Sequence, residues 1–278
     1  MRGTRTGRRG EILERVPDID LDAYLARIGY RSTPRPDLQT LTELHVAHVT
    51  AVPFENLDIL LGRGISLDPD ALQAKIVNGR RGGYCFEQNT LFQAVLERVG
   101  FRLVPLAARV RAGPPGVRPR THMLLRVELD EGPHLADVGF GGDGLVRPLS
   151  FAPGAEVLTA GVVHRLRREG DLWVLTAEVA GDPTDLYAFT LEPQHPVDYE
   201  MANHYTSTWP GSKFVQTLTA QRSWPEGRSI LRNRDLTVRE GGSVRTETIR
   251  DPDHLLQVLE REFGLSFPAG TRFTRPEF

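Results

Sequence analysis

The chain has one cysteine in 278 residues, Cys85. A single thiol cannot close an internal disulfide, which excludes a disulfide scaffold and fits a reducing cytoplasm, the expected compartment. Net charge is nearly absent as well. With 34 basic and 36 acidic side chains the balance is −2 at pH 7, so nothing points to nucleic acid as a partner. No apolar run approaches the roughly 20 residues that cross a bilayer and no signal peptide is visible, so no membrane partner is expected. Internal repeats are missing too. His45 and His48 could share one helix face, but no cysteine or third histidine stands near them in sequence. The expectation is therefore no metal, with both histidines packing in a partly buried helix. Lysine is scarce: Lys75 and Lys213 stand alone among many arginines, a bias that reads as base composition and carries no function.

What is present begins at Arg81-Gly82-Gly83-Tyr84-Cys85-Phe86-Glu87-Gln88-Asn89. Leu91, Phe92, Val95, Leu96 and Val99 follow at helical spacing and stop at Gly100, which predicts a helix from about Tyr84 to Val99. Cys85 then lies in the first turn, where unpaired N–H groups and the positive end of the helix dipole favour thiolate over thiol. Gly82 and Gly83 allow a tight turn just before it. The bland alternative is a small buried apolar residue.

A thiolate nucleophile needs a base, and the base needs a partner that sets its tautomer. Thr121 to Leu129 alternates as a strand, Asp130-Glu131-Gly132-Pro133 reads as a turn, and His134 to Phe140 reads as the returning strand. If the turn centres between Asp130 and Glu131, Asp137 lies opposite Leu124 and is a diagonal neighbour of His122 on the same face. A slip of one residue separates them. The bland alternatives are a half-buried strand histidine and a turn-flanking carboxylate.

Asp20 can cap a helix carrying Leu21, Tyr24, Leu25 and Ile28, and Asp37 a second carrying Leu38, Leu41, Leu44 and His48; Asp68-Pro69 starts a third. From Arg102 the pattern turns to strands at 103–110, 122–129, 134–140, 162–166, 173–179 and 186–191, which suggests an antiparallel sheet closing into a barrel. The last third holds a hairpin around Glu240-Gly241-Gly242 and a helix from Asp251-Pro252 to Gly264. The Gly141-Gly142-Asp143-Gly144 loop lacks the helix and lysine of a phosphate cradle and reads as a flexible exit from the Asp137 strand, with room for a cofactor to come close.

Three segments, Arg81-Gly82-Gly83-Tyr84-Cys85-Phe86-Glu87, Thr121-His122-Met123-Leu124-Leu125 and Asp137-Val138-Gly139-Phe140-Gly141, resemble in order and separation the catalytic motifs of the arylamine N-acetyltransferases. Pro53-Phe54-Glu55-Asn56-Leu57, the run from Glu192 to Glu200, and Asn203 to Phe214 extend the resemblance, which covers about Asp20 to Leu265. It implies an α+β fold: an N-terminal helical bundle (1–100) carrying the cysteine, a central antiparallel β-barrel (101–195) carrying His122 and Asp137, and a linker with a C-terminal α/β lid (196–278), around a cysteine-protease-like core. It implies Cys85, His122 and Asp137 as the catalytic triad of an acetyl transfer from acetyl-coenzyme A, through an acetyl-cysteine, to arylamines, hydrazines or N-hydroxyarylamines. No cofactor is bound permanently; acetyl-CoA is a substrate. Phe54 and Phe140 are the implied acceptor contacts, and Thr121, His204, Tyr205, Gly211 and Ser212 approach coenzyme A. Gln88 departs from the more usual leucine, with a change of packing expected, and Met1 to Gly10 precedes the usual start and reads as a flexible tail. Three alternatives share the residues: an amide synthase that forms macrolactams from a carrier-bound chain, a thiol hydrolase, or a binding protein that keeps the scaffold. The acceptor, the biological purpose (xenobiotic metabolism or biosynthesis) and the oligomeric state, a homodimer among the options, stay open.

Overall fold

The computed structural model describes residues 19–113 and 116–278, so the arginine-rich segment 1–10 lies outside the described residues. Helix α1 (Leu21–Ile28) starts where the Asp20 carboxylate accepts the Ala23 N–H and stops at Gly29 in the left-handed region. Helix α2 (Leu38–Ala51) is capped in the same way by Asp37. Each cap satisfies an N–H that the helix itself cannot pair. Strand β1 (Phe54–Glu55) and the single turn α3 (Leu57–Leu60) follow. The third expected helix is short: α4 (Pro69–Leu72) widens into a π-helical stretch over Gln73–Asn78. Helix α5 (Cys85–Val99) carries the predicted apolar stripe and ends at Gly100.

Eight antiparallel strands come next: β2 (Arg102–Val110), β3 (Arg120–Glu128), β4 (His134–Ala136), β5 (Leu149–Ser150), β6 (Glu156–Thr159), β7 (Val162–Glu169), β8 (Leu172–Val179) and β9 (Asp182–Phe189). They form one sheet in the order β5-β4-β3-β2-β9-β8-β7-β6, whose edge strands β5 and β6 meet, so the barrel is nearly closed. Strand β3 serves two cores. Met123 and Leu125 pack against the helices with Phe92 and Val95, while Leu124 fills the barrel with Leu106, Leu166 and Tyr187. The returning strand is shorter than the alternation predicts and ends at Ala136 rather than Phe140. Its backbone is drawn away from the ladder, because Asp137 accepts the Gly139 N–H and Asn89 accepts the Val138 N–H.

Helices α6 (Pro196–Thr208) and α7 (Lys213–Gln216) lead into β10 (Thr219–Trp224), β11 (Gly227–Arg232), β12 (Asp235–Glu240) and β13 (Ser243–Thr248), followed by α8 (Pro252–Phe263). The hairpin at Gly241-Gly242 and the final helix are where the sequence pattern puts them. This second sheet has the order β1-β10-β11-β12-β13, so a strand from the first hundred residues forms its edge, with Phe54 opposite Gln221. Leu57 and Leu60 share its core with Leu231, Leu255 and Leu259. The Asn56 amide donates to the Phe214 and Thr217 carbonyls and accepts the Thr219 N–H, fastening the same junction. Helices, barrel and α/β lid make the architecture α+β, as expected.

Candidate active site

Cys85 is the first residue of α5, so its N–H is one of the helix-start donors without an intrahelical acceptor. The turn before it needs both glycines: a Cβ on Gly82 would stand 2.0 Å from the Pro53 carbonyl, and one on Gly83 2.8 Å from the Glu87 side chain. A buried ionic network holds that turn from below. Glu55 accepts from Arg81 at 2.7 Å and from the Gly82 N–H at 3.3 Å, while Lys75 joins Asp58 at 2.7 Å and Glu87 at 2.8 Å. Glu87 also accepts the Tyr84 N–H. Burial pushes Glu87 up to about 7 despite the opposing charge of Lys75. For Lys75 the balance goes the other way, since the Glu87, Glu55 and Asp58 carboxylates outweigh burial and hold it above the usual lysine range.

Gln88 does more than alter packing. It is buried, donates to the Gly83 carbonyl at 2.7 Å and the Pro53 carbonyl at 3.2 Å, and meets His48 Nε2 at 3.2 Å. Tyr24 reaches the other ring nitrogen of His48 at 2.7 Å. His45 is bound at both nitrogens as well, Nδ1 to the Val146 carbonyl and Nε2 to the Asp137 N–H. Both histidines are fully buried and hydrogen-bonded rather than partly buried and merely packed. Burial lowers His45 to about 4 and His48 to about 3, so both stay neutral. Their nitrogens are committed, and no metal-holding group of three is present among the described residues.

The hairpin register satisfies the condition set by the sequence: Leu125 opposes Ala136, which carries Asp137 back to the level of Leu124. His122 Nε2 lies 2.7 Å from Asp137 Oδ2, with both side chains buried. Three further donors hold the Asp137 carboxylate: Tyr187 O–H at 2.9 Å, Asn89 Nδ2 at 3.0 Å and the Gly139 N–H at 3.0 Å. Burial would raise its pKa, but the charge and hydrogen bond of His122, with Asn89 and Gly139, keep it below the usual range. Burial would likewise lower His122, and the Asp137 charge and hydrogen bond, with the Cys85 sulfur nearby, raise it to about 10; Cys85 Sγ itself donates to the Thr121 carbonyl at 3.5 Å. With Nε2 on Asp137, Nδ1 is the nitrogen left to face Cys85. The imidazole is wedged between the rings of Phe140 and Tyr187, with centroids at 5.1 and 4.8 Å.

The contacts of Asn89, Tyr187 and His45 with Asp137 escaped the sequence reading. Asn89 had a signal, since four residues after Cys85 it shares the face of the same helix. Tyr187 and His45 had none, being brought to Asp137 only by the barrel and by α2.

Cys85 and His122 open on a cavity of about 620 Å³ that Phe54, Phe140, Thr121, Tyr205, Gly211 and Ser212 also line. His204 is not among them. It faces a separate groove of about 660 Å³ beside α5, with Tyr199 and Asn203, because neighbouring residues on α6 point in different directions. The Gly141–Gly144 loop is pinned rather than a flexible exit: Arg228 donates to the Gly142 carbonyl at 2.6 Å and to Asp143 at 3.1 Å, Arg239 also reaches Asp143, and His164 meets the Asp143 carbonyl at 2.7 Å.

Residues 37–271 match a family model described as N-acetyltransferase. An arylamine N-acetyltransferase of Mycolicibacterium smegmatis is 41% identical over 253 residues, covering 89% of this chain and 92% of that protein. An arylamine N-acetyltransferase / N-hydroxyarylamine O-acetyltransferase of Salmonella typhimurium is 38% identical, covering 88% of each chain. The structure of the Mycobacterium marinum arylamine N-acetyltransferase in complex with CoA aligns with a TM-score of 0.84 at 37% identity, covering 88% of this chain and 92% of that one.

Proposed function

Because the chain belongs to the arylamine N-acetyltransferase family, we propose that it transfers acetyl groups from acetyl-CoA to arylamines, hydrazines or N-hydroxyarylamines through an acetyl-Cys85 intermediate. The observation that carries this reading is the His122–Asp137 pair, its carboxylate fixed by four donors, with His122 and Cys85 together lining one cavity. In the reactive form the proton of the Cys85–His122 pair is on His122, which Asp137 holds up to about 10, and the sulfur is the nucleophile. It attacks the thioester carbonyl carbon. The new C–S bond to Cys85 forms as the bond to coenzyme A breaks, and the departing thiolate takes the His122 proton. Exchange between two thioesters is nearly balanced in energy, so the acetyl group can wait on the enzyme.

The amine then attacks the same carbon, His122 accepts its proton, and the C–S bond to Cys85 breaks as the amide forms. Arylamines and hydrazines are largely unprotonated at neutral pH and so are ready nucleophiles. The Cys85 N–H at the start of α5 is the first candidate donor to the tetrahedral oxyanion. Phe54 and Phe140 offer ring faces to an aromatic acceptor, and Thr121, Tyr205, Gly211 and Ser212 lie along the wall for the donor. His204 lies off that wall.

The test is intact mass after brief exposure to acetyl-CoA without acceptor, then with an arylamine or hydrazine added. The expected result is the gain of one acetyl group, absent in Cys85→Ala and discharged by the amine. Wild-type protein that gains no acetyl group refutes the reading and turns attention to carrier-bound acyl chains. Loss of the acetyl group to water as fast as to amine favours a hydrolase.

A further inference from the structure

Loop 141–144 begins where Phe140 ends, and it packs on two rings of the catalytic cavity wall. A Cβ on Gly141 would stand 3.0 Å from the Phe54 ring, and one on Gly144 3.0 Å from Phe140 Cβ. The Gly144 N–H closes the turn on the Gly141 carbonyl at 2.8 Å. Apart from His164 of the barrel, the side chains that hold this loop come from the lid. Strand β10 provides the buried Gln221, which accepts the Gly142 N–H. Strand β11 provides Arg228, which donates to the Gly142 carbonyl at 2.6 Å and to Asp143 at 3.1 Å; Arg239 of β12 donates to Asp143 at 3.1 Å. Among the described residues none from β10 to β13 lines the catalytic cavity, so the lid acts there at one remove. Arg228 is 1% exposed, and Asp143 is the carboxylate it pairs with, shared with Arg239. A buried charge with half a partner is a poor way to stabilise a fold. What it supplies is placement: Nη1 alone bridges the Gly142 carbonyl and the Asp143 carboxylate, fixing two successive loop residues against one sheet.

We infer that Arg228 is a positioning residue for the aromatic acceptor, acting from the lid through loop 141–144 to set the rings of Phe140 and Phe54. This rests on the reading that those rings receive an arylamine. His122 keeps its own partners, Asp137 and the Tyr187 ring, when the loop shifts, so the acetyl-CoA half of the reaction does not depend on Arg228. Nor does a small acceptor that has no ring to stack.

The measurement takes the full chain through two halves, acetyl uptake from acetyl-CoA and then discharge of the acetyl-enzyme by 4-methoxyaniline or by hydrazine, for wild type, Arg228→Met and Arg228→Lys. Methionine fills the space without charge and leaves Asp143 to Arg239, while lysine restores a donor. In Arg228→Met the second-order rate of discharge by 4-methoxyaniline is expected to fall about 10-fold, while acetyl uptake and discharge by hydrazine change less than about 2-fold. Arg228→Lys is expected to recover about half of that loss on a logarithmic scale. Should Arg228→Met fail to fold, Arg239→Gln, whose side chain is 38% exposed, is expected to give the same pattern at about 3-fold. A loss shared by hydrazine or by acetyl uptake, or no loss at all, overturns the inference. Wild type that takes up no acetyl from acetyl-CoA overturns the underlying reading, and this one with it.

Discussion

Asp137 is a fully buried carboxylate whose oxygens accept four hydrogen bonds, and its own N–H is taken by His45. A buried charge is tolerated only when so provided for, and the provision also fixes which way His122 points. Asp137→Asn keeps the shape but cannot hold a charged imidazole, so turnover is expected to fall by roughly 10³-fold or more in a folded protein. A folded Asp137→Asn enzyme with unchanged turnover would sink the triad assignment. Tyr187→Phe removes one of four donors, and a loss of about 10-fold in kcat/KM is expected, measured by steady-state kinetics beside a urea melt. Cys85, His122 and Asp137 stood out as candidates because each sits beside a local signal: a helix start for Cys85, and a hairpin whose register relates His122 to Asp137. Tyr187 and His45 carry no such signal, since a tyrosine or histidine in an apolar pattern looks the same whether or not it meets a carboxylate.

At the level of elements, the segment Asp137–Phe140 joins barrel to helix. Gly139 lies against α5, where a Cβ would stand 2.8 Å from Cys85 Cα, 3.0 Å from the Cys85 carbonyl and 2.8 Å from Asn89 Nδ2. Gly139→Ala is therefore expected to wedge the nucleophile away from His122 and lower acetyl uptake by about 100-fold, given that misplacement by 1 Å can cost that much. Acylation rate by mass, with circular dichroism to show that the fold is kept, would check it; wild-type acylation would mean the helix start can shift freely. Elements with strong periodicity and caps were readable, as in α1, α2, α5 and α8. Those that were not lack such signals: β1 has two residues, and α6 buries only Tyr199, Asn203 and Thr206, so no apolar stripe marks it. Strand β10 is largely polar along its sequence and owes its place to the strands on either side.

For the whole molecule, the buried histidines set opposite slopes of stability with pH. Unfolded, each titrates near 6.5. Burial lowers His45 and His164 to about 4 and His48 to about 3 in the folded state, so the unfolded chain binds more protons on the acid side. Their contribution is complete above about 6.5 and is lost as pH falls toward 4, with a combined slope of up to about 4 kcal/mol per pH unit. His122 behaves in reverse: burial opposes its charge, Asp137 prevails, and its folded value is about 10. Its contribution is complete below about 6.5 and is lost as pH rises through about 10. Urea midpoints from pH 4 to 10 are expected to peak near neutrality and fall steeply on the acid side, and a flat acid limb would contradict the neutral burial of the three histidines.

The pairing of Phe54 with Gln221 also sets an order in time. Gly83, two residues before Cys85, is bridged to Phe54, and the other edge of that two-residue strand is made by β10, from the last third of the chain. Synthesis releases Cys85 long before Gln221, and contacts so distant in sequence form late. A chain that ends before β10 therefore carries Cys85 beside a strand with one edge still unpaired.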